Sequence, residues 1–265
     1  MKSIPQIFSL HKIIAHRNRA AKDFAQHSFL HDEIENRMID RIEDLSGEFE
    51  KVLVLGYCSD ELILYLQQKR ETKFIVRQDY SADMGGFVVA DLEKLPYAPE
   101  SFDLIYSNSL LHLANDLPGV LVQIRKSLRP DGVFLASMFG GESLCQLRQA
   151  MSAAEEKLYG GMSPHIHPFV DVKTLGSLVQ RAAFSNLIAD SDLIDIAYDN
   201  AKDLMYDLRN MGEANSMMKC GRTLSRDLLD VIESEYKKNY TDGEGGILST
   251  FDIINITGLA TKSNG

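Results

Sequence analysis

The chain has 265 residues, 45% of them hydrophobic, which is enough to bury a substantial core and too many for a disordered or fibrous protein. Its 28 Lys and Arg against 38 Asp and Glu leave a net charge of −10, which disfavours a broad electrostatic grip on a nucleic-acid backbone. Cys58, Cys145 and Cys220 are too few and too scattered for a disulfide framework or a Cys-rich zinc site, no apolar run approaches the ~18 residues of a membrane span, and residues 1–30 lack the apolar core of a secretory signal. A cytoplasmic protein with free thiols, no nucleic-acid partner and no stable membrane insertion is expected.

Residues 1–24 carry Lys2, Lys12, Arg17, Arg19 and Lys22 against Asp23 alone. That bias suits a helix packed over a ligand cleft, a surface-binding helix or a transit segment. In HDEIENRMIDRIEDL, Ile34, Met38, Ile39, Ile42 and Leu45 recur at helical spacing, which puts Glu33, Glu35 and Asp40 on a solvated face. From residue 51 strand and helix alternate, the pattern of a parallel sheet covered on both sides. VLVL at 52–55 reads as a strand buried on both faces, and Ser59 or Asp60 caps a helix marked by Leu62, Ile63 and Leu66. FIV at 74–76, VVAD at 88–91 and FDLIY at 102–106 supply further strands. Asp116 caps the next helix, with Pro118 in its first turn and Val120, Leu121, Ile124 and Leu128 in one stripe, and Asp131-Gly132 turns the chain into VFLASMF.

A helix follows whose Leu144, Leu147, Met151, Ala154 and Leu158 face the core, then a loop, GGMSPHIHPF, punctuated by Gly160, Gly161, Pro164 and Pro168. Leu175, Leu178, Val179 and Ala182 mark another helix, NLIADSDLIDIAY alternates like a strand, and two helices span 200–240, the first ending at Gly212. FDIINITGLA at 251–260 is expected to close an antiparallel sheet edge. The reading is a single α/β domain with a doubly wound, mostly parallel, seven-stranded sheet. It divides into an N-terminal helical lid at 1–50, a ligand-binding core at 51–141, and substrate-side helices, loop and closing strands at 142–265.

Open sheets of this kind bind ligands outside the carboxyl ends of their strands, which places the site at 56–60, 79, 91 and 107–109. Asp79 follows Gly56 by 23 residues, close to the ~20 expected of an acid that accepts hydrogen bonds from ribose hydroxyls. The alternative is an Asp that only forms a turn before Ser81. Asp91 is either an acceptor for an adenine amino group or a turn cap. The order and spacing of VLVLGYCSD, FIV with Asp79, VVAD, FDLIYSNSLLHL and LRPDGVFLASMFGG resemble the class I S-adenosylmethionine-dependent methyltransferase superfamily. The resemblance implies S-adenosylmethionine as cofactor, held by Gly56, Cys58, Asp79, Tyr80, Asp91, Leu92, Ser107 and Asn108.

The glycine loop departs from that pattern. A superfamily member has an acid two residues before Gly56 and glycines two and four after it; here those places hold Val54, Cys58 and Asp60. Glycines there let backbone approach the methionine tail, and a carboxylate at 60 competes for the positive helix end that the cofactor's own carboxylate needs. The site is therefore rearranged or weakened, or the fold is retained without methyl transfer.

FLHDEIENRMIDRI at 29–42, MFGGESLCQLRQAM at 138–151, GGMSPHIHPF at 160–169 and LMYDLRNMGEANSM at 204–217 are similar to a narrower branch, mitochondrial complex I assembly factor 5 and its bacterial counterparts. That resemblance implies modification of a protein side chain, with arginine hydroxylation of a complex I subunit as the branch's activity. It starts near residue 8, which points to a bacterial cytoplasmic member. His165 and His112 are the catalytic candidates, since an imidazole titrates near neutral pH; each has the alternative of a histidine satisfied by its surroundings. His165, His167 and Asp171 can also be drawn as two histidines and a carboxylate around iron, although the branch pattern does not need His167. Methyl transfer to a protein, arginine hydroxylation, methylation of malonyl carrier protein in biotin synthesis, and a non-catalytic assembly chaperone all remain open.

Overall fold

The computed structural model describes residues 5–261, so Lys2 lies outside it. Seven strands form one sheet: β1 (Lys51–Gly56), β2 (Phe74–Asp79), β3 (Val88–Val89), β4 (Phe102–Asn108), β5 (Leu128–Phe139), β6 (Ser185–Tyr198) and β7 (Ile247–Ala260). Their order is β3-β2-β1-β4-β5-β7-β6, parallel through β5 and antiparallel for β7 and β6. The order reverses between β1 and β4, so the crevice at their carboxyl ends is where the fold receives a ligand. The expected doubly wound sheet is present. One placement differs: β7 lies inside the sheet, and β6 forms the edge.

Among the described residues, eight α-helices cover the two faces: α1 (Leu10–Ala20), α2 (Phe29–Glu43), α3 (Asp60–Lys69), α4 (Leu117–Ser127), α5 (Cys145–Tyr159), α6 (Val172–Arg181), α7 (Ala201–Asn210) and α8 (Arg226–Asn239). Along β1 the side chains alternate: Val52 and Val54 pack with α2, α3, α5, α7 and α8, while Leu53 and Leu55 pack with α1, α4 and α6. Both faces are thus dry, which is why VLVL carries no polar residue. The caps follow the sequence: the Ser59 and Asp116 side chains accept from the backbone N–H groups of Leu62 and Gly119. Leu158 is a correction, since it is 39% exposed on the last turn of α5.

Three irregular segments build a roof over the carboxyl ends of the strands. They are residues 5–9 before α1, the 160–169 loop, and residues 211–218 after α7. Ser9 and Met218 exchange backbone hydrogen bonds with Ser216 and Ile7, and the Ser216 N–H donates to His167 Nε2 at 2.8 Å. Gly212 makes the turn out of α7 with φ +86°, a conformation an L side chain rarely adopts, and it packs against Ala20 and Arg17 of α1.

Candidate active site

The crevice has two compartments. The first lies at the glycine-loop positions and is closed by the chain's own N-terminal helices. Gly56 turns β1 outward with φ +91°, and a Cβ there would stand 2.6 Å from the Asn108 carbonyl oxygen, so the loop packs tightly on β4. Arg17, 1% exposed on α1, grips Asp79 with both forks: Nε donates to Oδ1 at 2.7 Å and Nη2 to Oδ2 at 2.5 Å. Asp79 Oδ1 also accepts the Ser81 N–H. At the start of α3 the Ser59 N–H donates to both oxygens of Glu35, at 3.1 and 3.2 Å. A carboxylate therefore does sit on that helix terminus, as the dipole favours, and it belongs to α2.

Glu35 is the clearest correction to the helical reading of α2. It is 2% exposed, not solvated, and burial pushes its carboxyl up to about 7. Around it the Tyr57 hydroxyl donates to Asp32, and the Asn108 side-chain amide donates to the His31 carbonyl. Cys58 is buried, and burial raises its thiol to about 12, so it is an inert filler of the loop. Tyr80, Leu92 and Ser107 are buried along the same crevice. The Asp91 side chain accepts the Glu93 N–H at 3.0 Å and starts the turn at Leu92–Lys94.

The second compartment is a cleft of about 800 Å³, counting its open mouth, between α5, α7, β7 and the roof loops. Phe139, Leu144, Leu147, Met151, Phe169 and Phe251 wall it, and Glu213, His167, His165 and Asn215 supply its polar atoms. Among the described residues no lysine or arginine lines it. Glu213 sits where Gly212 ends α7. Its Oε2 is 2.9 Å from His112 Nε2, and its Oε1 is buried without a partner. Burial opposes the charge on Glu213, but His112, and beyond it His31 and Arg17, overcome that and bring its carboxyl down to about 2. His31 and His167 are both lowered to about 4, chiefly by burial, and are neutral near pH 7.

His112 thus leans on Glu213 with its ring against Phe139, centroid to centroid 4.9 Å. His165 is held differently: its Nε2 is 2.9 Å from Oε1 of the buried Glu155, which also takes the Ser163 N–H and hydroxyl. The histidine–carboxylate set drawn around His165, His167 and Asp171 does not converge. Asp171 caps α6 through Thr174, while His165 and His167 have different partners. His112, His167 and Glu213 do bring donor atoms within 4.8 Å of one another. However, the Ser216 N–H occupies the Nε2 lone pair of His167, and His112 Nδ1 has no acceptor to orient it as a metal ligand. Sequence reasoning missed Arg17, Glu35, Glu155 and Glu213. The signal available for Glu213 was its place just past the Gly212 helix stop.

Residues 53–136 match the methyltransferase domain family. The chain is 35% identical to the mitochondrial arginine-hydroxylase NDUFAF5 of Mus musculus, over 91% of this chain and 74% of that one. It is 36% identical to the Homo sapiens protein of the same name, over 87% and 69%. It is also 28% identical to the malonyl-acyl-carrier-protein O-methyltransferase of Xylella fastidiosa (strain M23), over 83% and 77%. In fold it resembles the YcgJ protein of Bacillus subtilis, with TM-score 0.57 at 14% identity over 86% of this chain and 98% of that one. A SAM-dependent methyltransferase of Thermotoga maritima gives TM-score 0.50 at 16% identity, over 96% and 100%.

Fold and crevice together define an enzyme of the S-adenosylmethionine-dependent methyltransferase class. Within that class the chain belongs to the family of the arginine-hydroxylase NDUFAF5. S-adenosylmethionine is the cofactor of the class, and the first compartment in its present arrangement does not fit it. Asp79, to which the resemblance assigns the ribose, and the Ser59 amide are both engaged by the chain's own Arg17 and Glu35.

Proposed function

We propose that this enzyme modifies a side chain of a protein during assembly of respiratory complex I, with arginine hydroxylation as the activity that its relatives' name supports. The second compartment carries this reading. Its volume of about 800 Å³, counting the open mouth, is walled by aromatic and aliphatic side chains and suits a side chain from a partner protein. A malonyl group brings a free carboxylate, which needs a cation or a set of N–H donors in its pocket; here the lining includes the carboxylate of Glu213 and, among the described residues, no lysine or arginine. That contrast favours the protein-modifying relatives over the malonyl carrier-protein methyltransferases.

The residues of the cleft would orient the side chain and exclude water, with His112 on Glu213 and His165 on Glu155 as the two imidazoles able to hold or pass a proton. The closed first compartment supports a chemistry other than routine methyl transfer, because Arg17 and Glu35 hold the two contacts a nucleoside cofactor would use. Hydroxylation turns a C–H into a C–OH, with the oxygen taken from dioxygen and two electrons and two protons carrying its other atom to water. The test is therefore mass spectrometry of complex I subunits and of malonyl carrier protein after incubation with the purified enzyme and S-adenosylmethionine, with dioxygen and a two-electron donor present. A gain of one oxygen on an arginine supports the reading, and a gain of one methylene on a subunit changes the reaction but keeps the substrate class. Methyl ester formation on the carrier protein alone overturns both. Binding of a subunit without any mass change leaves an assembly chaperone.

A further inference from the structure

We propose that Glu213 selects the substrate by charge: its free Oε1 takes the guanidinium of an incoming side chain whose methylene stem lies along the apolar walls of the cleft. This rests on the reading of the second compartment as the substrate pocket, and it assigns the residue that decides which side chain enters.

The first support is the charge count. The ionisable groups packed around Glu213 are His112, His31, His167, His16 and Arg17. Burial holds His31, His167 and His16 towards their neutral forms, and the charge of Arg17 is matched by Asp79. His112 contacts only Oε2, so Oε1 is left as a buried carboxylate oxygen with no donor inside the protein, which is costly. A cationic N–H donor satisfies that oxygen more strongly than a neutral one, and an anion cannot satisfy it.

The second support is the geometry of the orphaned atom. Oε1 is buried and unpartnered, while Oε2 is fixed by His112, so the carboxylate is oriented before any ligand arrives. A planar guanidinium suits the place better than a compact ammonium, because Phe139 and Phe169 place aromatic rings beside His112, one tilted and one edge-on, with centroids 4.9 and 5.8 Å from the imidazole. A metal ion would compete for the same carboxylate, but it would have to displace the Ser216 N–H from His167.

The experiment is calorimetry on the intact chain without cofactor, using peptide amides that present arginine, lysine or citrulline, citrulline being the neutral isostere of arginine. Arginine is expected to bind about tenfold to a hundredfold more tightly than citrulline, the range for a hydrogen bond to a charged group, and lysine to fall between. Glu213→Gln should abolish that preference, and Glu213→Asp, which keeps the charge, should retain part of it, with circular dichroism confirming that both fold. Equal binding of arginine and citrulline, an unchanged preference in Glu213→Gln, or absence of arginine binding overturns the assignment. Displacement of the arginine amide by manganese in the wild type but not in Glu213→Gln reassigns the carboxylate to a metal and also overturns it. Since binding is read without turnover, a failed modification assay removes the proposed reaction without touching this result.

Discussion

The contact between Arg17 and Asp79 decides whether the first compartment is a cofactor site held shut or a structural pair, and Arg17→Met separates the two. The guanidinium and carboxylate are 2% and 1% exposed as side chains, and the second Asp79 oxygen, Oδ2, accepts from Arg17 Nη2 at 2.5 Å. Methionine keeps the packing volume on α1 but leaves Asp79 with only the Ser81 N–H. Removing one member of a buried ion pair typically costs about 3–5 kcal/mol, because the other charge remains buried. Asp79→Asn should cost a similar amount for the opposite reason, and the double variant should recover about 1–3 kcal/mol of the sum, as expected for residues in direct contact. Urea unfolding of the four proteins measures this cycle. The functional half is calorimetry with S-adenosylmethionine: if Arg17 holds the cleft shut, Arg17→Met frees the ribose acceptor and tightens binding by about tenfold or more, equivalent to about 1.4 kcal/mol. An affinity that falls in Arg17→Met would refute the latch and make Arg17 part of the occupied site. A stability change within about 0.5 kcal/mol would refute the burial argument itself.

Three further outcomes follow from the same structure. Glu35 has its carboxyl raised from an ordinary 4.5 to about 7, so the folded chain holds this proton more tightly and loses stability as pH rises through that interval. The full loss, reached above pH ~7, is at most about 3 kcal/mol at 1.36 kcal/mol per unit. His31 and His167 act in the opposite sense, their stabilisation being present above about 6.5 and lost as pH falls through about 4, so the measurement is the difference in urea midpoint between Glu35→Gln and wild type from pH 5 to 8. That difference should grow in favour of the variant as pH rises, and a flat difference would show that Glu35 is ionised without penalty. Gly56→Ala should lower stability by about 2 kcal/mol or more, because φ is +91° and the new Cβ meets the Asn108 carbonyl at 2.6 Å; a thermal midpoint equal to wild type would contradict the tight loop. Glu155→Gln removes the charge that holds Ser163 and His165, and should cost about 1–3 kcal/mol. It should also speed limited proteolysis within residues 160–168, and unchanged cleavage there would show that the loop is held by other contacts.

The parts of this fold that the sequence made legible are those set by neighbours in the chain. Ser59 and Asp116 announce their helices because a cap needs only the next three residues, and VLVL declares a strand buried on both faces because every side chain in it is apolar. The swap of β6 and β7 was readable by the same rule. FDIINITGLA is buried at nearly every position, as an interior strand must be, whereas SNLIADSDLIDIAY alternates half-exposed and exposed residues, as an edge strand does.

Charges brought together over long sequence separations have no such signature. Arg17 meets Asp79 across 62 residues, and His112 meets Glu213 across 101. Glu35 occupies a position on α2 that helical periodicity alone assigns to water, and only the backbone of Ser59, 24 residues on, draws it inside. These same residues give the departures in the glycine loop a physical meaning. Where the superfamily pattern leaves glycine backbone open to a cofactor, this chain sets Glu35 on the helix terminus and Arg17 on Asp79. The lost glycines and the buried charges are therefore two sides of one arrangement, in which α1 and α2 occupy the contacts that the superfamily resemblance assigns to a nucleoside.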